Sequence, residues 1–243
     1  MANEYSSLPR VRAYLGLESA DTVDDAEILG FLRQASRALD KYCRRRFYPE
    51  RKERFYDYEN NRRIALDEDL LELETLRTQN GACAIANTIL FLSRGDNYNI
   101  TPYDHITINS SAGSVLNYSG TLQQANRVVG TWGYHENWAS AWRDTGTSLI
   151  VDHGSSTSRL NLAGNGSAGS GASDIEYYHP RIAIGDLLRI QDEYFHVVEA
   201  GSTNTLVFVP PAANGTVTAA HASGASITRF IPEDDIEYST RHL

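Results

Sequence analysis

Apolar residues recur at three- and four-residue intervals at Ile28, Phe31, Leu32, Ala35, Leu39 and Tyr42, between acidic Asp24, Asp25 and Glu27 and basic Arg44, Arg45 and Arg46. That spacing puts one apolar stripe on a helix. The charges suit the two ends of its dipole, each contributing about 0.3–1 kcal/mol. A helix over residues 22–47 is therefore predicted, with its apolar face buried and Pro49 as its stop. A shorter helix is predicted over residues 8–17. Ser7 stands at its N-cap, Pro9 at the first position, where a missing N–H costs nothing, and Gly16 near its end.

The period then changes. Glu53 to Glu59 alternates aromatic and charged residues, Asn60-Asn61 marks a turn, and Arg62 to Leu66 returns, which predicts a hairpin. Further strands are expected over 70–76, 88–92, 105–108 and 126–134. From Asp144 to Ser173 the composition shifts to Gly, Ser, Ala, Asn and Thr, which packs little apolar surface and predicts a mobile loop. Four short apolar runs follow at 187–190, 194–198, 205–209 and 226–230, as in a small β-barrel of about five strands. The expected fold class is α+β: an N-terminal helix pair with a β-strand region, plus a C-terminal small β-barrel insertion. The expected boundaries are 1–143 for the helices and first strands, 144–173 for the flexible segment, 174–230 for the barrel and 231–243 for an acidic tail or short helix.

Composition narrows the function classes. A chain of 243 residues, 41% hydrophobic, buries a substantial core. With 22 basic against 31 acidic residues the formal charge is -9, which argues against a surface coated for nucleic acid. The charge is nevertheless segregated: Lys41 to Arg63 holds nine basic and four acidic residues. Of the basic residues 20 are Arg and 2 Lys; the planar guanidinium suits carboxylate or phosphate partners, and genome base composition explains the same bias equally well. Cys43 and Cys83 are too few for a disulfide framework, so buried free thiols are expected. The first residues lack the pattern of a secretory signal, and no apolar run approaches the ~18 residues of a membrane span. Folding in the cytosol is the expectation.

Candidate chemistry is sparse. His105, His135, His153, His179, His196, His221 and His242 are scattered singly, with no ligand spacing for a metal. Asp192-Glu193 reads as a solvated turn, because catalytic carboxylates must converge across a cleft. The stretch Gly164-Asn-Gly-Ser-Ala-Gly169 lacks the Lys-Ser or Lys-Thr ending of a phosphate loop, and Gly166-Ser-Ala-Gly169 lacks the spacing of a nucleophile elbow. No catalytic, cofactor-binding or metal-ligating residue is expected. Arg44, Arg45, Arg46, Arg51, Lys52 and Arg54 are candidates for a subunit interface or for DNA phosphates, with dipole capping and interface ion pairs the favoured role. Trp132, Tyr134, Trp138 and Trp142 form the densest aromatic group, read as core or as a subunit contact.

Four features recur in one order: Tyr14-Leu-Gly-Leu17, the helix from Asp24-Asp25 to Arg46-Phe-Tyr-Pro49, Thr101-Pro-Tyr103, and Val129-Gly-Thr-Trp-Gly-Tyr134. Across roughly residues 7–142 the chain thereby resembles the head-to-tail adaptor, or neck connector, proteins of tailed bacteriophages. The stretch from Gly185-Asp-Leu-Leu-Arg-Ile190 through Asn214-Gly-Thr216, His221 and Gly224 looks like a β-barrel insertion of some phage structural proteins. The resemblance implies a non-enzymatic virion protein without cofactors, assembled in the host bacterial cytoplasm. It would form a dodecameric ring at the neck between the portal protein and a downstream neck or tail protein, with packaged DNA passing through and touched without specificity, and no membrane. It also implies that the basic Lys41–Arg63 region meets Glu68, Asp69, Glu72 and Glu74, or Glu233 to Asp235, of a neighbouring subunit, since a ring closes through two different patches. Residues 231–243 depart from the family, whose members continue into helices that dock on the portal. A second reading is a tail-associated glycan- or surface-binding module, suggested by the aromatic group and the barrel; such a module would not need the helix pair. A small hydrolase finds no nucleophile, base and orienter in a recognisable order.

Overall fold

The computed structural model describes residues 3–17, 22–59, 62–78, 81–83, 90–95, 97–98, 100–108, 116, 120–163, 182, 184–200, 205–208 and 211–232. In chain order the elements are α1 (Leu8–Leu15), α2 (Asp25–Cys43), β1 (Glu50–Tyr56), β2 (Arg63–Thr78), β3 (Gly81–Cys83), β4 (Leu90–Arg94), β5 (Asn97–Tyr98), β6 (Tyr103–Ile108), β7 (Asn126–Trp132), β8 (Trp142–Ser148), β9 (Arg159–Asn161), β10 (Leu187–Ile190), β11 (Glu193–Ala200), β12 (Thr205–Phe208) and β13 (Ser226–Phe230). They form two compact units, one of residues 1–44 with 139–243, the other of residues 45–138. The α+β class holds, with two helices and two antiparallel sheets. The helices, expected with the strands up to residue 143, belong instead with the C-terminal strands. Among the described residues no helix is long and apolar enough to cross a membrane.

In the first unit, α1 ends where Gly16 turns left-handed at φ 68°, a conformation open to glycine at no steric cost. The longer α2 stops at Cys43, because Arg44 takes the left-handed cap at φ 52° and its N–H bonds to the Asp40 carbonyl. Pro49 is thus not the stop, and Arg45 and Arg46 lie beyond the helix. Its buried residues are Ile28, Leu32 and Ser36. Ser36 is inside because its hydroxyl donates to the Leu32 carbonyl at 2.8 Å and accepts the Tyr5 N–H at 3.1 Å. Residues 3–7 thus occupy the side of α2 next to the predicted one, where Arg37 holds the Asn3 carbonyl at 2.7 Å and the Tyr5 hydroxyl meets Asp40. Phe31 and Tyr42 of the predicted buried face are 59% and 88% exposed.

The strands of this unit run in the order β8-β13-β10-β11-β12-β9. The two ends of that order are joined: Leu149 bridges Leu162, Ala163 N–H donates to the Ser148 carbonyl at 2.7 Å, and Ile150 N–H to the Asn161 carbonyl at 3.0 Å. Leu149, Leu160, Leu162, Leu188, Ile190, Phe195, Val197 and Ile227 pack together inside. Two of these strands fall in the stretch predicted as a mobile loop. The composition misleads there because β8 alternates buried Thr145 and Thr147 with exposed or half-buried residues. Threonine is accepted inside where its hydroxyl is bonded. Thr145 donates to the Ile227 carbonyl at 2.6 Å and Thr147 to that of Ala163. The glycine-rich stretch 164–173, and residues 174–181, lie outside the described residues, as do residues 233–243.

The second unit is one sheet, β1-β7-β2-β6-β4-β5, with β3 paired to β2. The predicted hairpin is not formed. β7 lies between β1 and β2, and Lys52 faces Gly130 across the ladder. Local alternation cannot reveal a partner some 75 residues away. The strands predicted at 62–66 and 70–76 are one strand, β2, whose register shifts between Ala65 and Leu70. Gly130 is needed where it is: a methyl there would be driven into the Glu72 carbonyl oxygen and lie 2.9 Å from Leu70 Cδ1. Ile64, Leu70, Leu76, Ile106, Ile108, Leu116, Val128 and Trp132 form the core.

Candidate functional site

Every basic candidate from Arg45 to Arg54 is paired within its own unit. Arg51 grips Glu74 with two nitrogens, Nε at 2.7 and 2.9 Å and an Nη at 2.7 Å. Lys52 Nζ lies 2.6 Å from Glu68 and 3.2 Å from Glu50; Arg54 also binds Glu68, and Arg46 binds Glu50. Arg127 of β7 binds Glu53. Because side chains alternate along a strand, Glu50, Lys52 and Arg54 lie on one face of β1 and Arg51 and Glu53 on the other. Both faces are neutralised. Burial works to raise the Glu68 carboxyl, but Lys52 and Arg54 hold it below the usual carboxylate range. Glu68, Asp69 and Glu74, expected from a neighbouring subunit, are thus supplied by the same chain. Arg44 stands apart, exposed at the end of α2.

The aromatic candidates divide between the units. Trp132 is core: it is 1% exposed, stacks near Tyr56 at 6.3 Å and donates its indole N–H to the Lys52 carbonyl at 3.0 Å. Tyr134 lies beneath two cations, with Arg45 4.6 Å and Arg94 5.5 Å from its ring centre, and its hydroxyl donates to Glu136 at 2.6 Å. Arg45 also reaches Asp69 at 3.4 Å. Burial pushes that carboxyl up, against the pull of Arg45 and Arg94. Trp138 is half-buried in a short 3-10 turn. Trp142, in the other unit, carries Arg189 over its ring at 4.5 Å, with Tyr194 at 4.9 Å and Phe230 at 5.5 Å.

Two buried carboxylates escape the sequence. Glu193, expected in a solvated turn, is 1% exposed, while Asp192 beside it is exposed. Its Oε1 accepts the Ala212 N–H at 2.9 Å, and its Oε2 accepts the Ala219 N–H at 2.8 Å and His221 Nε2 at 2.9 Å. His221 in turn contacts Gln191 Oε1 through Nδ1 at 3.0 Å. His153 and His221 are not isolated: their backbones bridge and their rings stack at 6.0 Å. Glu4 lies between His196 Nε2 and Arg33 Nε, both at 2.7 Å, with its side chain wholly buried. Burial favours its neutral form, yet His196 and Arg33 hold it below the ordinary carboxylate range. Nothing local announces these clusters, since the partners of Glu4 come from α2 and β11 and those of Glu193 from residues 212–221.

Chemically, these groups are cross-links within the unit, Glu193 through backbone N–H groups and Glu4 through side chains. Glu193 ties the segment 212–221 to the start of β11, and Glu4 ties the N-terminal strap to both α2 and the sheet. Among the described residues no three His, Cys, Asp or Glu side chains are disposed to hold a metal ion. No protein-family model, curated protein or solved structure matches this chain.

Proposed function

We propose that this chain is a structural subunit of a tailed-phage particle, assembling as a ring that joins the portal to the neck or tail around the DNA channel. The observation that carries the reading is the order of motifs over residues 7–142, from Tyr14-Leu-Gly-Leu17 to Val129-Gly-Thr-Trp-Gly-Tyr134; the ion pairs of residues 45–54 narrow what that surface does. Five cations from Arg45 to Arg54 are committed to Asp69, Glu50, Glu74 and Glu68 of the same unit. A segment meant to grip phosphate keeps its guanidinium groups available; here they are satisfied within their own unit, which weighs against phosphate gripping. Direct DNA contact through these residues is accordingly a weaker part of the reading than assembly.

The C-terminal sheet is read as a small β-barrel, because its first and last strands are joined through Leu149 and Leu162 around a single apolar interior. The glycan-binding alternative rests on exposed aromatic faces, and Trp142 has Arg189, Tyr194 and Phe230 against it. The ring is tested by native mass measurement and electron microscopy of the purified chain with and without a portal ring. Closed rings with an axial hole wide enough for a duplex are expected. A chain that stays monomeric alone and with portal overturns the reading.

A further inference from the structure

The exposed side of α2 has a charge and size pattern that describes its own partner. Phe31, at 59% exposure, and Tyr42, at 88%, lie on one stripe with Ala35 and Ala38, residues too small to cover them. Asp24 and Glu27 flank the stripe at one end and Lys41 and Arg44 at the other, all four exposed and in no ion pair with a described residue. Glu27 and Lys41 share a face of the helix and are equidistant from Gln34. A second α2 laid antiparallel, with a two-fold axis at Gln34, brings Glu27 of each copy beside Lys41 of the other. Phe31 of each copy then falls against Ala35 and Ala38 of the other. The opposed helix dipoles reinforce the same direction.

We propose that this face of α2 is covered by a second copy of the chain in an antiparallel, two-fold contact. At 19 residues the helix is about 28 Å long. A contact of one helix face with another covers on the order of a few hundred Å² per copy, below the standard size of a stable interface, so the pair is weak and its test belongs at high protein concentration. The contact is isologous, whereas a ring closes through two different patches. It therefore stands or falls separately from the ring, and native mass with portal reads the one while the experiment below reads the other.

The first arm places Gln34→Cys in a Cys43→Ser, Cys83→Ser chain and oxidises it. Residue 34 faces itself across the axis, so a single disulfide-linked dimer band is expected. The second arm follows sedimentation of Glu27→Lys and Lys41→Glu chains. Each alone brings like charges together and should pair about ten-fold more weakly, while an equal mixture of the two, or the double variant, recovers the pairing because opposite charges again meet across the axis. These side chains are exposed, so the variants fold. Absence of the disulfide dimer overturns the proposal, and so does failure of the mixture to pair better than its two components.

Discussion

Replacing Glu193 by Gln keeps its shape and removes its charge, which isolates what the carboxylate does. In the native chain its two oxygens accept three donors: Ala212 N–H, Ala219 N–H and His221 Nε2, at 2.8–2.9 Å. A primary amide offers one oxygen and two further N–H groups. With the oxygen kept toward Ala212, the NH2 faces Ala219 N–H and His221. His221 can answer by moving its proton to Nδ1, which already lies 3.0 Å from Gln191 Oε1, and accepting through Nε2. Ala219 N–H has no such recourse. One buried donor without an acceptor costs about 1–3 kcal/mol, and losing the charge-assisted bonds brings the expected destabilisation to about 2–4 kcal/mol. For a urea slope of about 1–3 kcal/mol per molar, the unfolding midpoint falls by roughly 1–2 M. The loss belongs to the unit that holds Trp142, whereas Trp132 and Trp138 report on the other, so tryptophan fluorescence should show one transition moving and one fixed. Amide exchange of residues 211–222, read by mass spectrometry, should quicken in step. If the midpoint moves by less than about 0.3 M and exchange is unchanged, the clamp is not what holds this segment.

Three further outcomes follow from the same contacts. Glu4 has a folded-state pKa held below its ordinary value of 4.5, so as pH falls the unfolded chain takes up the proton first. Its stabilisation is present above about pH 4.5 and disappears as pH drops through the lower folded value. Thermal unfolding across pH 2–6 should show Glu4→Gln flattening this limb for the unit that contains α2; an unaltered slope contradicts the assignment. Gly130→Ala should destabilise the other unit by about 3 kcal/mol or more, because the obstructing Glu72 oxygen is backbone and cannot swing away; a normal denaturation midpoint would refute it. Arg51 and Glu74 are each about one-third exposed, so solvent screening limits their coupling to about 0.5–1 kcal/mol in a double-mutant cycle, and added salt should erode it.

What the sequence disclosed and what it concealed divide along a physical line. Helices announce themselves because their partners are three and four residues away, and α1 and α2 were legible together with Gly16 as the stop of the first. Which side of α2 is buried was not, because an apolar count ranks Phe31 above Ser36, while a strap at residues 3–7 supplies hydrogen bonds that make serine the inward residue. The short C-terminal strands β10 to β13 were legible from apolar runs between turns. β8 was not, since buried Thr145 and Thr147 carry no hydrophobic signal and draw their place from carbonyls of Ile227 and Ala163. The partner of β1 was hidden for a different reason: alternation fixes which way a side chain points, not which strand lies alongside.

The same limit governs the electrostatics, and there it changes the functional argument. Nine basic residues between Lys41 and Arg63, in a chain of charge -9, call for an acidic partner. Once β7 is inserted beside β1 and β2 follows, the carboxylates of Glu68 and Glu74 are within reach, and the request is met inside the sheet. Counting charge along a chain therefore overstates what is available to other molecules, because it cannot subtract pairs made across strands. Among the described residues, the exposed charges that remain after that subtraction include those of α2, where Asp24, Glu27, Lys41 and Arg44 accompany Phe31 and Tyr42. The segment richest in arginine is thus paired inside its own unit, and the face we propose for contact with a second copy is the one on the helix.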